Sequence, residues 1–385
     1  MGRIKVLSVF GTRPDTIKLA PVVAELSRHP EKICSVTVGT AQHRDMMDQV
    51  LAVFGISPDY DLGVMQDDQS LFDIAERGLR GLEEVLLREK PDITLVHGDT
   101  STAFAGALAS FYCRTEVGHV EAGLRTGHKF DPFPEEMNRR LVGCLADVHF
   151  APTTDHLENL LRENFPRESI YVTGNTVVDA VMQVARSRTG YSDPELKSLD
   201  LEGRRMILAT AHRRENIGEP MHNICRAIRD VLADYPDTVV VMPVHLNPRV
   251  RETVIRELGG VERCHLVDPV SYPDMVGLME ACYMVMTDSG GLQEEAPALG
   301  KPVLVLRRTT ERPEGVRAGT LRLVGVDRER IREEAGILLE DDEQYRIMAS
   351  APNPYGDGNA ARRTVMGILH HYGLIDERPS DFTPR

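Results

Sequence analysis

Short apolar runs rich in β-branched residues alternate with helix-length amphipathic stretches along the whole chain, and no other feature limits the fold as strongly. Each apolar run has the length of a buried strand, and each amphipathic stretch is long enough to carry the chain back across a sheet. Parallel neighbouring strands need such crossovers, because a tight turn cannot join them. The alternation therefore predicts an α/β fold built from βαβ units with mainly parallel sheets.

The number of strand-like runs predicts two sheets rather than one. A single parallel sheet of all these runs would be unusually wide, and 385 residues are comfortable as two domains. The boundary is expected in the polar segment Thr173–Asp200, and a further helix is expected over Ala360–His371. The predicted strands are Ile4–Phe10, Ser35–Gly39, Ile93–His97, Glu116–Val120, Val148–Ala151, Ile170–Val172, Met206–Ala209, Thr238–Pro243, His265–Val267, Met284–Thr287 and Pro302–Leu306.

Composition excludes several classes of protein. The net charge of −14 argues against non-specific nucleic-acid binding, which depends on lysine and arginine neutralising phosphates. The six cysteines contain no C-x-x-C pair, so we expect free thiols rather than disulfides or zinc ligands. The first residues enter a strand-like run without the features of a signal peptide, and no apolar stretch approaches the length of a membrane span. We expect a cytoplasmic protein with no membrane or nucleic-acid partner.

Residues 283–295 carry the clearest sign of a ligand. An apolar run ends at Thr287, a Ser-Gly-Gly turn follows at 289–291, and a helical pattern begins with Glu295 one turn inside. Main-chain N–H groups at a glycine-opened helix start bind phosphate, and glycine lets the phosphate approach closely. A glutamate cannot serve the same phosphate, but it can accept hydrogen bonds from sugar hydroxyls. The segment therefore predicts recognition of a nucleoside diphosphate, with an ordinary strand–turn–helix corner as the alternative.

Cationic turns follow the first strands of each half. Arg13 and Lys18 lie after the first strand without a G-x-G-x-x-G or P-loop pattern, which leaves diphosphate binding or plain surface charge as interpretations. In the second half, His212 and Arg213 follow one strand and His245 follows the next. Because both sets follow strands, we expect them to face one cleft between the two domains.

Three carboxylates are candidates for acid/base chemistry. Asp99 and Glu121 follow consecutive strands, and the carboxyl ends of neighbouring parallel strands meet at one edge of a sheet. Glu135 lies in a proline-stiffened loop ahead of a helix, where a helix-dipole role is equally open. The histidines His97 and His119 near these acids do not have convincing ligand spacing, so no metal site is predicted.

The chain resembles the non-hydrolysing UDP-N-acetylglucosamine 2-epimerases, which have the two-domain GT-B architecture. The matching words run in family order over nearly the whole chain, and a departure stands at Pro14-Asp15-Thr16, where the family usually has Pro-Glu-Ala. The words are Phe-Gly-Thr-Arg-Pro at 10–14, Ile-Lys-x-Ala-Pro at 17–21, Ala-Gln-His-Arg at 41–44, Val-His-Gly-Asp-Thr at 96–100, Gly-His-Val-Glu-Ala-Gly-Leu-Arg-Thr at 118–126, Pro-Glu-Glu-x-Asn-Arg at 134–139, Thr-Gly-Asn-Thr at 173–176, His-Arg-Arg-Glu at 212–215, Pro-Val-His-Leu-Asn-Pro at 243–248, Thr-Asp-Ser-Gly-Gly-x-Gln-Glu-Glu at 287–295 and Thr-Glu-Arg-Pro-Glu at 310–314.

This resemblance implies two Rossmann-like domains whose parallel sheets face a central cleft. Residues 1–175, joined by the C-terminal segment 360–385, would form one domain with the carboxylates, and residues 176–359 the UDP-binding domain. The implied reaction is reversible inversion at C2 of UDP-N-acetylglucosamine, by elimination of UDP to a 2-acetamidoglucal and re-addition, as a step towards cell-surface polysaccharide. No cofactor or metal is implied. UDP-N-acetylglucosamine and UDP are the implied ligands, and a homodimer the implied assembly.

The resemblance also assigns roles to individual residues. It gives acid/base work to Asp99, Glu121 and Glu135, with His212 as a further catalytic residue. Regulation by bound substrate is implied for Gln42, His43, Arg44 and Arg213. The residues implied to bind substrate are Arg13, Lys18, Arg139, His245, Val270, Met275, Ser289, Gly290, Gly291, Glu295 and Arg312.

Three alternative activities remain open from the sequence. A hydrolysing 2-epimerase would release N-acetylmannosamine and UDP, and a related epimerase would act on a modified UDP-sugar. A GT-B glycosyltransferase would share the fold but needs an acceptor site and one base rather than three carboxylates.

Overall fold

The structure is a computed structural model that describes residues 2–40, 50–64, 70–199 and 201–384. The chain forms two compact units, one of Met1–Ala180 with Tyr355–Thr383 and the other of Val181–Pro354 with Pro384–Arg385. The chain leaves the first unit within the helix Thr176–Ser187 and returns to it at Tyr355. Each unit contains one parallel sheet with helices between its strands, so the predicted α/β fold with two parallel sheets is confirmed.

The sheet of the first unit has seven described strands in the order β3-β2-β1-β4-β5-β6-β7, and every pairing is parallel. The order reverses between β1 and β4, which opens a crevice beyond their carboxyl ends where α/β proteins bind ligands. The strands are β1 Ile4–Phe10, β2 Ile33–Gly39, β3 Tyr60–Asp61, β4 Ile93–His97, β5 Glu116–Val120, β6 Val148–Ala151 and β7 Ile170–Val172.

The sheet of the second unit has six described strands in the order β10-β9-β8-β11-β12-β13, again all parallel. Its order reverses between β8 and β11, so the loops that follow these two strands lie side by side. The strands are β8 Arg205–Thr210, β9 Thr238–Pro243, β10 Cys264–Val267, β11 Met284–Thr287, β12 Val303–Val305 and β13 Leu321–Leu323.

Helices connect successive strands and cover the sheets. Residues 50–54 are also helical. The α-helices that lie wholly within the described ranges are Arg13–Leu26, Leu71–Glu89, Ser101–Tyr112, Glu135–Leu145, Thr154–Arg162, Thr176–Ser187, Pro194–Ser198, Glu219–Asp234, Pro248–Leu258, Tyr272–Ala281, Gly290–Glu295, Pro313–Ala318, Arg328–Glu340, Asp342–Ala349 and Ala360–His371, and short 3-10 turns occupy Arg167–Ser169, Arg214–Asn216 and Ala296–Leu299.

The central strands are buried because each face is covered by helices. All five residues of β4 and all four of β11 are buried, which explains their continuous apolar runs. Every predicted strand is present, with shifts of one or two residues at some ends, and the helix Ala360–His371 has the predicted bounds. Two strands were missed: β3 and β13, short strands at the edges of their sheets.

Six free cysteines are present, two of them buried and Cys144 exposed. Over the described residues, no helix is long and apolar enough to cross a membrane.

Candidate active site

The loop after β1 is fixed by a capping box. Thr12 caps the helix Arg13–Leu26, and the buried Asp15 accepts main-chain N–H groups from Gly11 and Thr12 at 3.2 and 2.7 Å. Burial raises the pKa of the Asp15 carboxyl. Asp15 is the departure from the family pattern, and here it completes the cap. The helix start thereby presents Arg13, half-buried, and Lys18, buried one turn further on.

Lys18 does not face solvent but forms an ion pair with Glu121, the acid that follows β5. The amide Nδ2 of Asn175 donates to the same carboxylate oxygen, Oε2, at 3.0 Å. The buried His97 Nε2 lies 3.7 Å from that oxygen. A helix residue, a strand residue and a loop residue therefore converge on one oxygen of Glu121.

These partners determine the charge of Glu121. Burial by itself raises the pKa of the Glu121 carboxyl, but the charges and hydrogen bonds of Lys18 and His97 outweigh it and hold the pKa well below the usual range. The residue has a left-handed backbone with φ of 65°, which a non-glycine residue adopts only where its surroundings fix it. Glu121 is thus a largely buried carboxylate, ionised at neutral pH and held in an imposed orientation.

Asp99, after β4, is held by the helix Glu135–Leu145. Arg139 Nε donates to Asp99 Oδ2 at 2.9 Å, its Nη2 binds the same oxygen, and Asn138 Nδ2 donates to the Asp99 carbonyl at 2.9 Å. The two predicted cations Lys18 and Arg139 therefore both pair with predicted acids.

The buried His119 joins the loops that carry Asp99 and Glu121. Its Nε2 lies 2.8 Å from the carbonyl of Gly98, the residue before Asp99, and a carbonyl requires that this nitrogen carry the proton. Burial lowers the pKa of His119 to about 3, so the ring stays neutral. From the sequence, His119 was considered only as an unlikely metal ligand. The contact between His119 and Gly98 depends on the pairing of strands, which cannot be seen in the sequence.

Glu135 and Glu136 have different surroundings although they are adjacent. Glu136 is fully buried, accepts the Thr126 N–H at 3.0 Å and pairs with Arg139 and Arg140. Glu135, the first residue of its helix, is half-buried, and among the described residues its side chain has no hydrogen-bond or ion-pair partner. Glu135 is therefore the carboxylate left available for a ligand, and Glu136 supports the helix start.

In the second unit, one buried aspartate organises the loop after β8. Asp288 follows β11, is fully buried, and its Oδ2 accepts the N–H groups of His212 and Arg213 at 2.8 Å each and Asn216 Nδ2 at 2.9 Å. Its other oxygen lies 3.3 Å from His212 Nδ1. Because β8 and β11 are neighbours, this one side chain joins the loop after β8 to the end of β11.

His212 and His245 are stacked, with ring centroids 5.4 Å apart and an interplanar angle of 12°. Burial lowers the pKa of His212, and the positive charge of Arg213 lowers it further, whereas the negative charge of Asp288 raises it. The net shift is downward, so the ring is neutral near pH 7. His245 Nδ1 accepts the Asn247 N–H at 3.0 Å. In this state His212 offers a hydrogen bond rather than a positive charge.

The turn at Ser289, Gly290 and Gly291 lies against two guanidinium groups. A Cβ at Gly290 would stand 3.4 Å from Arg213 Nη2 and 3.7 Å from Arg312 Nη2, so only glycine leaves this space open. Arg312 is held by the buried Glu294 through a 2.6 Å hydrogen bond. The main-chain N–H groups at this helix start and the two arginines therefore direct positive charge at the same open space.

The remaining predicted residues have the following positions. Glu295 is buried in the helix Gly290–Glu295, Val270 is buried next to the capping residue Ser271, and Met275 is half-buried in Tyr272–Ala281. Gln42, His43 and Arg44 lie outside the described residues. No group of three or more His, Cys, Asp or Glu side chains in the described ranges is arranged to hold a metal ion.

Four supporting residues were not predicted from the sequence: Asn138, Asn175, Asp288 and Glu294. Each lies inside one of the quoted motifs, so the motif itself was the available signal. Their partners are distant in sequence, and only the fold reveals what each side chain holds.

Comparison with known proteins adds a family assignment to this geometry. The family model described as UDP-N-acetylglucosamine 2-epimerase matches residues 24–369. A UDP-N-acetylglucosamine 2-epimerase of Bacillus subtilis (strain 168) is 54% identical over 383 residues, covering 100% of both chains. One of Escherichia coli (strain K12) is 52% identical, covering 96% of this chain and 99% of its own length.

Solved structures agree with the sequence relatives. The crystal structure of a putative UDP-N-acetylglucosamine 2-epimerase from Listeria monocytogenes superposes with a TM-score of 0.92 at 50% identity, covering 99% of this chain and 100% of the other. The Neisseria meningitidis UDP-GlcNAc 2-epimerase bound to UDP-GlcNAc gives a TM-score of 0.88 at 48% identity, with 95% and 100% covered.

Proposed function

Because the chain belongs to the UDP-N-acetylglucosamine 2-epimerase family, we propose that it interconverts UDP-N-acetylglucosamine and UDP-N-acetylmannosamine reversibly, without releasing free sugar. The observation that carries this proposal is the largely buried Glu121 carboxylate, kept ionised by Lys18 beside a second acid loop at Asp99. Such an arrangement supports proton transfer at carbon rather than simple binding.

The proposed reaction is an elimination followed by an addition. The proton on C2 of the sugar has low acidity, so its removal is coupled to breaking the C1–O bond. The C2–H electron pair becomes the C1=C2 bond, and the C1–O pair leaves with UDP. Re-addition of UDP to the 2-acetamidoglucal returns a proton to C2 from the opposite face, which inverts the centre. No redox cofactor is required, because the reaction causes no net oxidation.

The carboxylates of the first unit are proposed to move the protons. Glu121 is ionised and Glu135 has no described partner, which supports them as groups that exchange protons with substrate. Asp99 is anchored by Arg139 and supports the same role. Arg13, which has no described partner, is left to meet phosphate, whereas Lys18 and Arg139 act through the carboxylates they bind.

The second unit is proposed to bind UDP. The glycine turn at 289–291 with Arg213 and Arg312 supports diphosphate binding, and Glu295 supports a ribose contact. His212 would donate a hydrogen bond to the departing diphosphate and gain a proton as negative charge develops there. His245, Val270 and Met275 are proposed to complete the UDP site.

Three further expectations continue as proposals. The enzyme is expected to act in the cytoplasm as a homodimer and to supply surface-polysaccharide synthesis. Residues 1–175 with 360–385 and residues 176–359 are proposed as the two domains.

Substrate regulation through Gln42, His43, Arg44 and Arg213 predicts a lag in the reaction from UDP-N-acetylmannosamine alone, which a trace of UDP-N-acetylglucosamine removes. A reverse reaction without a lag would contradict it.

Incubation of the enzyme with UDP-N-acetylglucosamine in deuterated water, followed by NMR, tests the central proposal. The expected product is UDP-N-acetylmannosamine with deuterium at C2. Free N-acetylmannosamine with UDP would instead identify a hydrolysing enzyme, and retention of the original hydrogen would exclude the proposed proton transfer.

Amide variants test the assignment of the acids. Asp99→Asn, Glu121→Gln and Glu135→Gln should each lower kcat by about 10²–10⁴-fold, with UDP affinity by calorimetry nearly unchanged. Glu158→Gln is the matched control, since Glu158 is exposed on a surface helix and forms an ion pair with Arg162 at its surface. Near-normal kcat in all three variants would remove the assignment.

A further inference from the structure

The two oxygens of Glu121 have different surroundings. Oε2 receives Lys18, Asn175 and, at 3.7 Å, His97. Among the described residues, none donates a hydrogen bond to Oε1. A Cβ added at Gly98 would stand 3.5 Å from Oε1, so the glycine leaves this side of the carboxylate open. One oxygen is therefore occupied by the protein and the other is available.

The amide of Asn175 is oriented by two contacts that cannot be exchanged. Its Oδ1 accepts the Val177 N–H at 3.0 Å, and its Nδ2 donates to Glu121 Oε2 at 3.0 Å. A flipped amide would direct an oxygen at a carboxylate and an NH₂ at an N–H, so both contacts would become repulsive. Asn175 is 3% exposed, and its own N–H donates to the Tyr355 carbonyl at 2.6 Å. The side chain is fixed at both ends.

We propose that Asn175 is a positioning residue that orients Glu121 so that Oε1 is the oxygen that exchanges the proton with C2. This inference rests on the proposed function. In the elimination, Oε1 takes the C2 proton while the C2–H pair forms the C1=C2 bond and the C1–O pair leaves on UDP. Lys18 neutralises the charge of Glu121, whereas the neutral amide of Asn175 adds direction without altering the total charge of the cluster.

The variants Asn175→Asp and Asn175→Ala separate this role from a structural one. Aspartate has the same shape and keeps the oxygen that accepts the Val177 N–H, but it replaces the donor to Glu121 with a negative charge. Alanine removes both contacts. If Asn175 only supports the start of the helix Thr176–Ser187, aspartate should be harmless and alanine harmful. If it orients Glu121, aspartate should be the more damaging change, because like charges repel.

The expected result is a kcat for Asn175→Asp reduced by about tenfold or more, with KM and UDP affinity little changed. The acidic limb of its pH–kcat/KM profile should move upward by about one pH unit, because a neighbouring carboxylate raises the pKa of Glu121. Asn175→Ala should lie between this variant and the unmodified enzyme. Asn164→Asp is the matched control, as Asn164 lies in an exposed turn and receives the same added charge.

Each result either supports or overturns the inference. An Asn175→Asp enzyme with normal kcat and an unshifted profile overturns it, as does a larger loss in Asn175→Ala. Circular dichroism and UDP calorimetry establish that each variant is folded. Were the unmodified enzyme inactive as an epimerase while binding UDP, the proposed function would fail on its own, before any Asn175 variant is compared.

Discussion

Glu121 and Lys18 illustrate at the residue scale how a buried acid is kept charged. A carboxylate taken out of water favours its neutral form, and here a buried ammonium group reverses that preference. The contribution of the pair depends on pH in a definite direction. Because the folded pKa lies below the usual value, the stabilisation is present above the unfolded pKa and is lost as pH falls through the folded one.

Lys18→Gln should leave Glu121 buried without its main counter-charge. We expect kcat to fall by about tenfold or more and the acidic limb of the pH–rate profile to move to higher pH, since the pKa of Glu121 rises. Stopped assays of epimerisation between pH 5 and 9 measure both. Lys5→Gln is the control, because it breaks a different ion pair, the one between Lys5 of β1 and Glu89. Equal profiles for both variants would argue against the role of Lys18.

The sequence allowed the acids and cations of the site to be named, but not paired. Asp99 and Glu121 were expected at one edge of a sheet because each follows a strand, and Lys18 was expected in the cationic turn after the first strand. Arg139 was implied only by the family resemblance. Lys18 and Glu121 are 103 residues apart in sequence, and Arg139 and Asp99 are 40 residues apart. Which cation binds which acid therefore depends on the order of the strands and on how far each side chain reaches. Local patterns contain no information about those separations.

At the scale of elements, long buried strands were predictable and short edge strands were not. β4 has five consecutive buried residues, and its composition alone identifies it. β3 consists of Tyr60 and Asp61, which become a strand only because Val38 and Gly39 pair with them. A strand that forms only because a neighbouring strand pairs with it has no sequence pattern of its own from which it could be predicted.

The helix Ala360–His371 begins on a partly buried acid, Asp179, from another helix. Asp179 accepts the N–H groups of Ala360 and Ala361 at 3.1 and 2.9 Å. Burial raises the pKa of Asp179 from 3.8 to about 6, against the effect of these hydrogen bonds. A raised acid pKa means that the stabilisation is complete below the unfolded pKa and is lost as pH rises through the folded one.

Asp179→Asn removes this titration and should change the pH dependence of stability. The free energy of unfolding of the unmodified protein minus that of the variant should fall between pH 4 and 6, by at most about 1.4 kcal/mol per pH unit. Urea unfolding at successive pH values measures the difference. Asp376→Asn, at an exposed site, should show a constant difference. A constant difference for Asp179→Asn would show that its carboxyl titrates normally.

The whole molecule should be sensitive to acid through its buried neutral histidines. The pKa of His119 is lowered by burial to about 3 and that of His149 to about 4, both from 6.5. The unfolded chain binds protons at these positions below pH 6.5, and the folded chain does not. Their stabilisation is therefore complete above pH 6.5 and is lost as pH falls towards 3 and 4.

His119→Gln tests this dependence without deleting the donor to Gly98. The free energy of unfolding of the unmodified protein minus that of the variant should rise between pH 4 and 6.5, opposite in sign to the Asp179 case. His371→Gln is the control, because His371 lies exposed on the C-terminal helix. If the two histidine variants respond to pH alike, burial of His119 does not govern its proton affinity.

UDP should stabilise the protein by acting on the second unit. Saturation at 100 times Kd raises the free energy of unfolding by about 2.7 kcal/mol. Hydrogen exchange should slow first at residues 212–216 and 289–295, which the proposed site comprises. Arg312→Gln should weaken this protection, whereas Arg332→Gln, which alters a surface ion pair with Asp234, should not. Protection spread evenly over both units would contradict the assignment.

Asp288 has a consequence for anyone who recombines members of the family. It fixes the shape of the loop at His212, Arg213 and Asn216 through contacts 76, 75 and 72 residues away in the chain. The residues of the loop do not determine its shape alone, because the carboxylate that holds the loop lies after β11. A graft of this loop between relatives therefore has to carry the segment after β11 with it, so that the loop keeps the carboxylate that holds it.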